Sequence, residues 1–209
     1  MQPATPILNQ AETSARYWTA RRLLLIVLPV MLTAVGVLLT RQVDFISRGV
    51  EGLLFLFVPP VVALLLFRLN PLDYGLRIGR WKHGIAYGVV GVLITIVVVR
   101  LAMGLFPSLT DYYGSRDLTP RLIADTFLYM FAWEFIIRGY LFHSLEKEFS
   151  LGEANAGQTA VFAISHFGKP MVELLSTPFT GLVFGLVAHR TRSIHSMVVI
   201  HTVIQLAVY

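Results

Sequence analysis

Apolar residues along this chain come in blocks rather than stripes. Leu23–Thr40 runs 18 residues without a charge, and Gly52–Phe67 and Gly84–Val99 run 16 each. About 20 residues at ~1.5 Å per residue cross the ~30 Å hydrocarbon layer, so these blocks predict membrane-spanning helices. A fourth block, Leu122 to Phe142, contains "FAWEFIIRGYLF", with Glu134 and Arg138 in its middle. Three further apolar segments, Gly157–Phe167, Leu174–Ala188 and Ile194–Tyr209, are short for lipid-facing spans, which fits helices enclosed by their neighbours. The pattern predicts an all-α, polytopic transmembrane bundle of about seven or eight membrane helices, several of them short in the C-terminal half. Gly84 and Gly88 in GIAYG, and Gly181 and Gly185 in GLVFG, have the small-xxx-small spacing that lets helices approach closely. No internal repeat or linker interrupts the blocks. Residues 1–22 read as a polar cytoplasmic tail, and 23–209 as one integral membrane domain with Leu23–Thr40 as a retained anchor.

Composition agrees with the pattern. Of 209 residues, 56% are hydrophobic and 14% charged, more apolar than a soluble domain of this length needs. The absence of cysteine removes disulfides, thiolate metal sites and a thiol nucleophile. The net charge of +5 lies beside spans, where the positive-inside bias puts it, and does not point to nucleic acid. Arg16, Arg21 and Arg22 before the first span, and Arg68, Arg77, Arg80 and Lys82 after the second, predict a cytoplasmic N-terminus. By alternation, the loops Arg41–Glu51 and Pro107–Arg121 are external, and the segment "HSLEKEFSLGEANAG" is a cytoplasmic loop.

The charges inside the blocks carry the chemistry. A charge at mid-bilayer costs about 2.5–3.5 kcal/mol and should face the bundle interior. Glu134 and Arg138, four apart on one helix, share a face and can pair, which alone suits a structural tie as well as a site. His166 in "VFAISHF" and His201 in "VVIHTVIQ" sit inside apolar segments, away from the predicted helix ends. Counted from the segment ends, Glu134 lies about 18 Å, His166 about 16 Å and His201 about 20 Å from the outer face. One carboxylate and two imidazoles at one depth suit either a His₂Glu metal site with an open position or a carboxylate–imidazole set that activates water. The remaining polar residues read more plainly. His143, Glu146, Lys147 and Glu148 mark the wet end of the fourth span, and His189 and His195 flank an interfacial turn. Tyr17, Trp18, Trp81, Tyr112 and Tyr113 suit aromatic belts, and Asp125 a helix start meeting water.

No His-Glu-x-x-His, Gly-x-Ser-Gly or Gly-x-Gly-Asp motif is present, which sets aside zincins, rhomboid-like proteases and intramembrane aspartyl proteases. "WEFIIRG" (Glu134, Arg138, Gly139), "FAISH" (Phe162, His166) and "HTVIQ" (His201, Gln205) occur in that order from about Leu122 to Tyr209. This series resembles the CPBP family of CAAX proteases and bacteriocin-processing proteins, whose pattern is EExxxRG, FxxxH and HxxxN. Two positions depart from it: Trp133 stands where the family has its first Glu, usually assigned as the water-activating base, and Gln205 stands for the final Asn.

The resemblance implies an intramembrane endopeptidase acting on a membrane-associated peptide or protein in the lipid bilayer, in a bacterial cytoplasmic membrane. It implies catalytic roles for Glu134, Arg138, His166, His201 and Gln205. His166 would bind the water or metal, His201 with Gln205 the metal or the oxyanion, and Arg138 would orient Glu134. Zn²⁺ or another divalent metal on Glu134, His166 and His201, and a metal-free water mechanism, both stay open. A bacterial branch with a WE-type first motif and an HFGKPxxE segment is similar to this chain. There Glu173 offers a second carboxylate, against its plainer reading as a solvated partner of Lys169. With Trp133 in place, two other readings remain: a catalytically inactive protein of the same fold that binds or regulates a partner, and a small transporter with a His/Glu proton relay.

Overall fold

Helix starts in this chain are written in its caps. Ser47 accepts from the Val50 N–H at 3.4 Å, and Thr119, followed by Pro120, accepts from the Leu122 N–H at 3.2 Å. Ser150 and Glu153 form a reciprocal capping box. The structure, a computed structural model, describes residues 10–41 and 47–209, with side chains from residue 24 on. Residues 1–9 of the expected tail, and the side chains of Arg16, Tyr17, Trp18, Arg21 and Arg22, lie outside the described residues.

Among the described residues there are eight helices and no strand. They are α1 (Gln10–Thr40), α2 (Arg48–Leu66), α3 (Trp81–Leu105), α4 (Pro107–Tyr113), α5 (120–145), α6 (Leu151–Ile164), α7 (Met171–Thr191) and α8 (His195–Ala207). By length and composition α2, α3 and α7 can each cross a bilayer, and α8 is a shorter apolar helix. This is a helical membrane bundle, as the hydropathy blocks predict. Helix α4 was not among the expected spans. It is a helix of about two turns within the loop Pro107–Arg121.

Helix α5 is the axis of the bundle. It contacts α1, α2, α6, α7 and α8, and every residue from Phe135 to Leu145 is buried. A helix that is apolar all round belongs inside, and this one is wrapped on every side. Residues Phe135–Leu141 widen into a π-helix at the Glu134/Arg138 motif. Gly139 lies in this wide turn, pressed against the loop before α3. A Cβ there would stand 2.6 Å from the Tyr74 carbonyl oxygen. The same loop accepts the Ile194 N–H on the Gly75 carbonyl at 2.9 Å, so it links the wide turn of α5 to the start of α8.

Two segment boundaries differ from expectation. The capping box starts α6 at Leu151, so most of the expected loop 143–157 is helix. That helix then stops at Ile164, before Gly168 (φ +90°) and Pro170. His166 therefore sits on the turn after α6 rather than inside a helix. The two small-xxx-small pairs also diverge. A Cβ on Gly185 would lie 1.9 Å from Asn155 Oδ1, and one on Gly181 2.8 Å from Thr159, so α6 and α7 touch closely there. Gly84 has nothing within 4 Å and Gly88 meets only Ser196 at 3.8 Å, so GIAYG makes no tight crossing.

Candidate active site

The Glu134/Arg138 pair forms as its spacing predicts. Arg138 Nη1 donates to Glu134 Oε1 at 3.2 Å, with both side chains fully buried. The guanidinium carbon lies 3.9 Å from the Phe162 ring centre and 5.2 Å from that of Phe184. Glu134 Oε1 also meets His201 Nδ1 at 2.6 Å, across from α5 to α8. A carboxylate on Nδ1 fixes the ring and its tautomer, which leaves Nε2 as the nitrogen for other chemistry.

His201 and Gln205 line a cavity of about 360 Å³ together with Trp133, His166, Lys169 and Glu173. His166 Nδ1 meets the Phe162 carbonyl at 2.8 Å, so the ring donates there and turns an unprotonated Nε2 away from α6. That Nε2 lies 4.0 Å from Glu173 Oε1. Glu173 is half-buried and accepts from the Tyr113 hydroxyl through Oε2, while Lys169 Nζ stands 3.8 Å from Oε1. The plain solvated pair expected for Lys169 and Glu173 is thus part of a larger network that faces His166. Arg41, at the end of α1, donates to the carbonyls of Ser165 (2.6 Å) and Phe167 (3.3 Å), which holds the His166 turn against the bundle.

The structure separates the expected site residues into two groups. His166, His201, Gln205 and Glu173 share the cavity. Glu134 and Arg138 lie behind its wall and do not line it. Trp133 occupies the wall position next to Glu134. Neighbouring helix residues point about 100° apart, so Glu134 faces away from where the Trp133 side chain stands. Its second oxygen, Oε2, is buried without a hydrogen-bond partner, as are Arg138 Nε and Nη2. Among the described residues, no three His, Asp or Glu side chains converge closely enough to hold a metal ion. Glu134, His166 and His201 do not fit as one ligand shell, because Glu134 is spent on Arg138 and Nδ1 of His201 while His166 faces Glu173.

Residues 115–207 match the family described as type II CAAX prenyl endopeptidase, Rce1-like. The match falls on the motif-bearing part of the chain and agrees with its resemblance to the CPBP family. No curated protein and no solved structure matches the chain. The Rce1-like region covers α5 to α8, and so holds every site residue that the motifs pointed to. Together with its apolar helices, it marks an integral membrane protein.

Sequence reasoning passed over Tyr113 and Arg41. Tyr113 looks like any aromatic at a membrane face, and Arg41 like any charge at a helix end. Only the meeting of α1, α4 and the His166 turn distinguishes them. The wet end of α5 also holds more structure than a solvated end. His143 is buried, and its Nδ1 meets Glu146 at 2.8 Å. Glu146 is further held by His189 and by Arg192 at 3.0 Å. Burial opposes the Glu146 charge, but hydrogen bonds from His143 and His189, with Arg192 nearby, outweigh it and hold the carboxyl at about 2.

Proposed function

We propose that this protein is an intramembrane endopeptidase that activates water between His166 and Glu173. The observation that carries the reading is the 4.0 Å separation of His166 Nε2 and Glu173 Oε1 in a cavity shared with His201 and Gln205. That spacing is too long for a direct hydrogen bond and suits a bridging water. In the reaction, the water oxygen attacks the scissile carbonyl carbon as its proton passes to the Glu173 carboxylate. The carbonyl oxygen takes up the negative charge, within reach of the His201 ring and the Gln205 amide. The C–N bond then breaks, and the proton held by Glu173 passes to the leaving amine. Glu134 acts through His201 by fixing its ring, and Arg138 orients Glu134. Both are positioning residues in this scheme.

Glu173 in this reading takes the part that the family's first Glu has elsewhere, and which Trp133 leaves empty here. The substrate is a membrane-delivered peptide or protein, and the N-terminus is cytoplasmic in a bacterial cytoplasmic membrane. The test is cleavage of membrane-embedded peptides by purified protein in detergent. His166→Ala and Glu173→Gln should each lower the rate by about 100-fold or more. Undiminished cleavage by both variants would overturn the mechanism. One observation favours a second reading, a binding or regulatory protein of the same fold: Trp133 fills the wall where a carboxylate is expected. That reading predicts no cleavage by the wild type, with a partner retained whether or not Glu173 is present.

A further inference from the structure

The carboxylate opposite His166 is held from outside the Rce1-like region. Helix α4 ends at Tyr113, two residues before that region begins, and its hydroxyl donates to Glu173 Oε2. Lys169 Nζ donates to the same Tyr113 oxygen at 3.2 Å, and lies 5.1 Å from the Tyr113 ring centre. The Tyr209 ring meets Tyr113 edge-on with centroids 6.4 Å apart, and Tyr112 does so at 5.0 Å. The phenol is thus fixed on three sides. Burial, and then the Glu173 charge, push its ionisation far above the ordinary value, so it remains a donor.

A carboxylate has two oxygens, and here they are used differently. Oε2 is taken by Tyr113, while Oε1 is the atom nearest His166 Nε2. Without the phenol, the two oxygens would compete to face the imidazole, and the side chain could turn toward Lys169 instead. We propose that Tyr113 is a further positioning residue of the site: it clamps Glu173 so that one oxygen faces His166. The proposal rests on the reading of Glu173 as the water-activating carboxylate. It makes the short helix α4 part of the catalytic apparatus rather than a loop ornament.

The experiment uses full-length protein in detergent as wild type, Tyr113→Phe, Glu173→Gln and the double variant. Tyr113→Phe should lower kcat about tenfold, the loss of one charge-assisted hydrogen bond, with KM within about twofold. The double variant should be no slower than Glu173→Gln alone, because both changes act through one carboxylate. Histidine-labelled protein gives a readout that needs no turnover: the His166 ring nitrogen signals should move in Tyr113→Phe, and should not move further when that change is added to Glu173→Gln. Losses that add in the double variant, an effect confined to KM, or His166 signals unchanged by Tyr113→Phe would overturn the proposal. If the wild type itself cleaves nothing, the peptidase reading falls, and the His166 signals still decide whether Tyr113 sets Glu173.

Discussion

Glu134 and Glu173 are two carboxylates that each meet a histidine, and they sit in opposite environments. Glu134 is sealed in α5, 2.6 Å from His201 Nδ1, beneath a guanidinium with no exposed surface. Glu173 stands at the start of α7 on the cavity wall, 4.0 Å from His166 Nε2. The first contact closes the distance and leaves no place for water. The second leaves a gap of about one water. The difference teaches which charge ties helices together and which can do chemistry. A buried ion pair contributes mainly by being unbreakable, since removing one partner strands the other.

The sharpest way to break the comparison is to cut each side separately. Arg138→Met should destabilise by about 3–5 kcal/mol, because Glu134 is left charged and buried with only His201 beside it. Thermal unfolding in detergent measures it. Glu173→Gln, by contrast, should shift the melting point by a few degrees at most while lowering cleavage about 100-fold or more. A variant of Arg138 that melts like wild type would erase the distinction between the dry and wet carboxylates.

Packing sharpens it next. Gly139→Ala drives a Cβ to within 2.6 Å of the Tyr74 backbone oxygen, in the wide turn that carries Arg138. The backbone must move, and the cost should be about 1–3 kcal/mol by the same melting assay. Gly84→Ala meets nothing within 4 Å and should be neutral or stabilising by less than about 1 kcal/mol. Equal losses for the two would mean that the close contact at Gly139 does not govern α5.

The smallest expected effect is on acid stability. Folding lowers the Glu146 carboxyl from its ordinary 4.5 to about 2. A depressed carboxylate contributes stability that is fully present above about 4.5 and is lost as pH falls through about 2. Glu146→Gln should flatten the fall in melting temperature across that window and leave the dependence near neutrality unchanged. An unaltered acid limb would show that the His143–Glu146–His189 cluster is not coupled to folding.

Much of the site was legible because intramembrane charge is costly. Glu134, Arg138, His166 and His201 stand out against apolar neighbours, and the spacing of the first two predicts the pair that is present. His166 lies on a turn where its neighbours predict a helix. Its apolar neighbours suggested a helix interior, but the Ser150/Glu153 cap starts α6 earlier and the chain turns before Gly168. The roles of Trp133 and Glu173 were less legible still. Both depend on direction, on which face of α5 looks at the cavity and where the start of α7 falls.

By itself, the order of apolar blocks determined that this chain is a bundle of membrane helices with its ionisable groups turned inward, since lipid solvates neither charge nor unpaired backbone. Only tertiary structure decided which carboxylate meets which imidazole. Those contacts join residues 67 positions apart in one case, and the turn after α6 to the start of α7 in the other, and a difference of little more than 1 Å separates a locked pair from a gap that admits water.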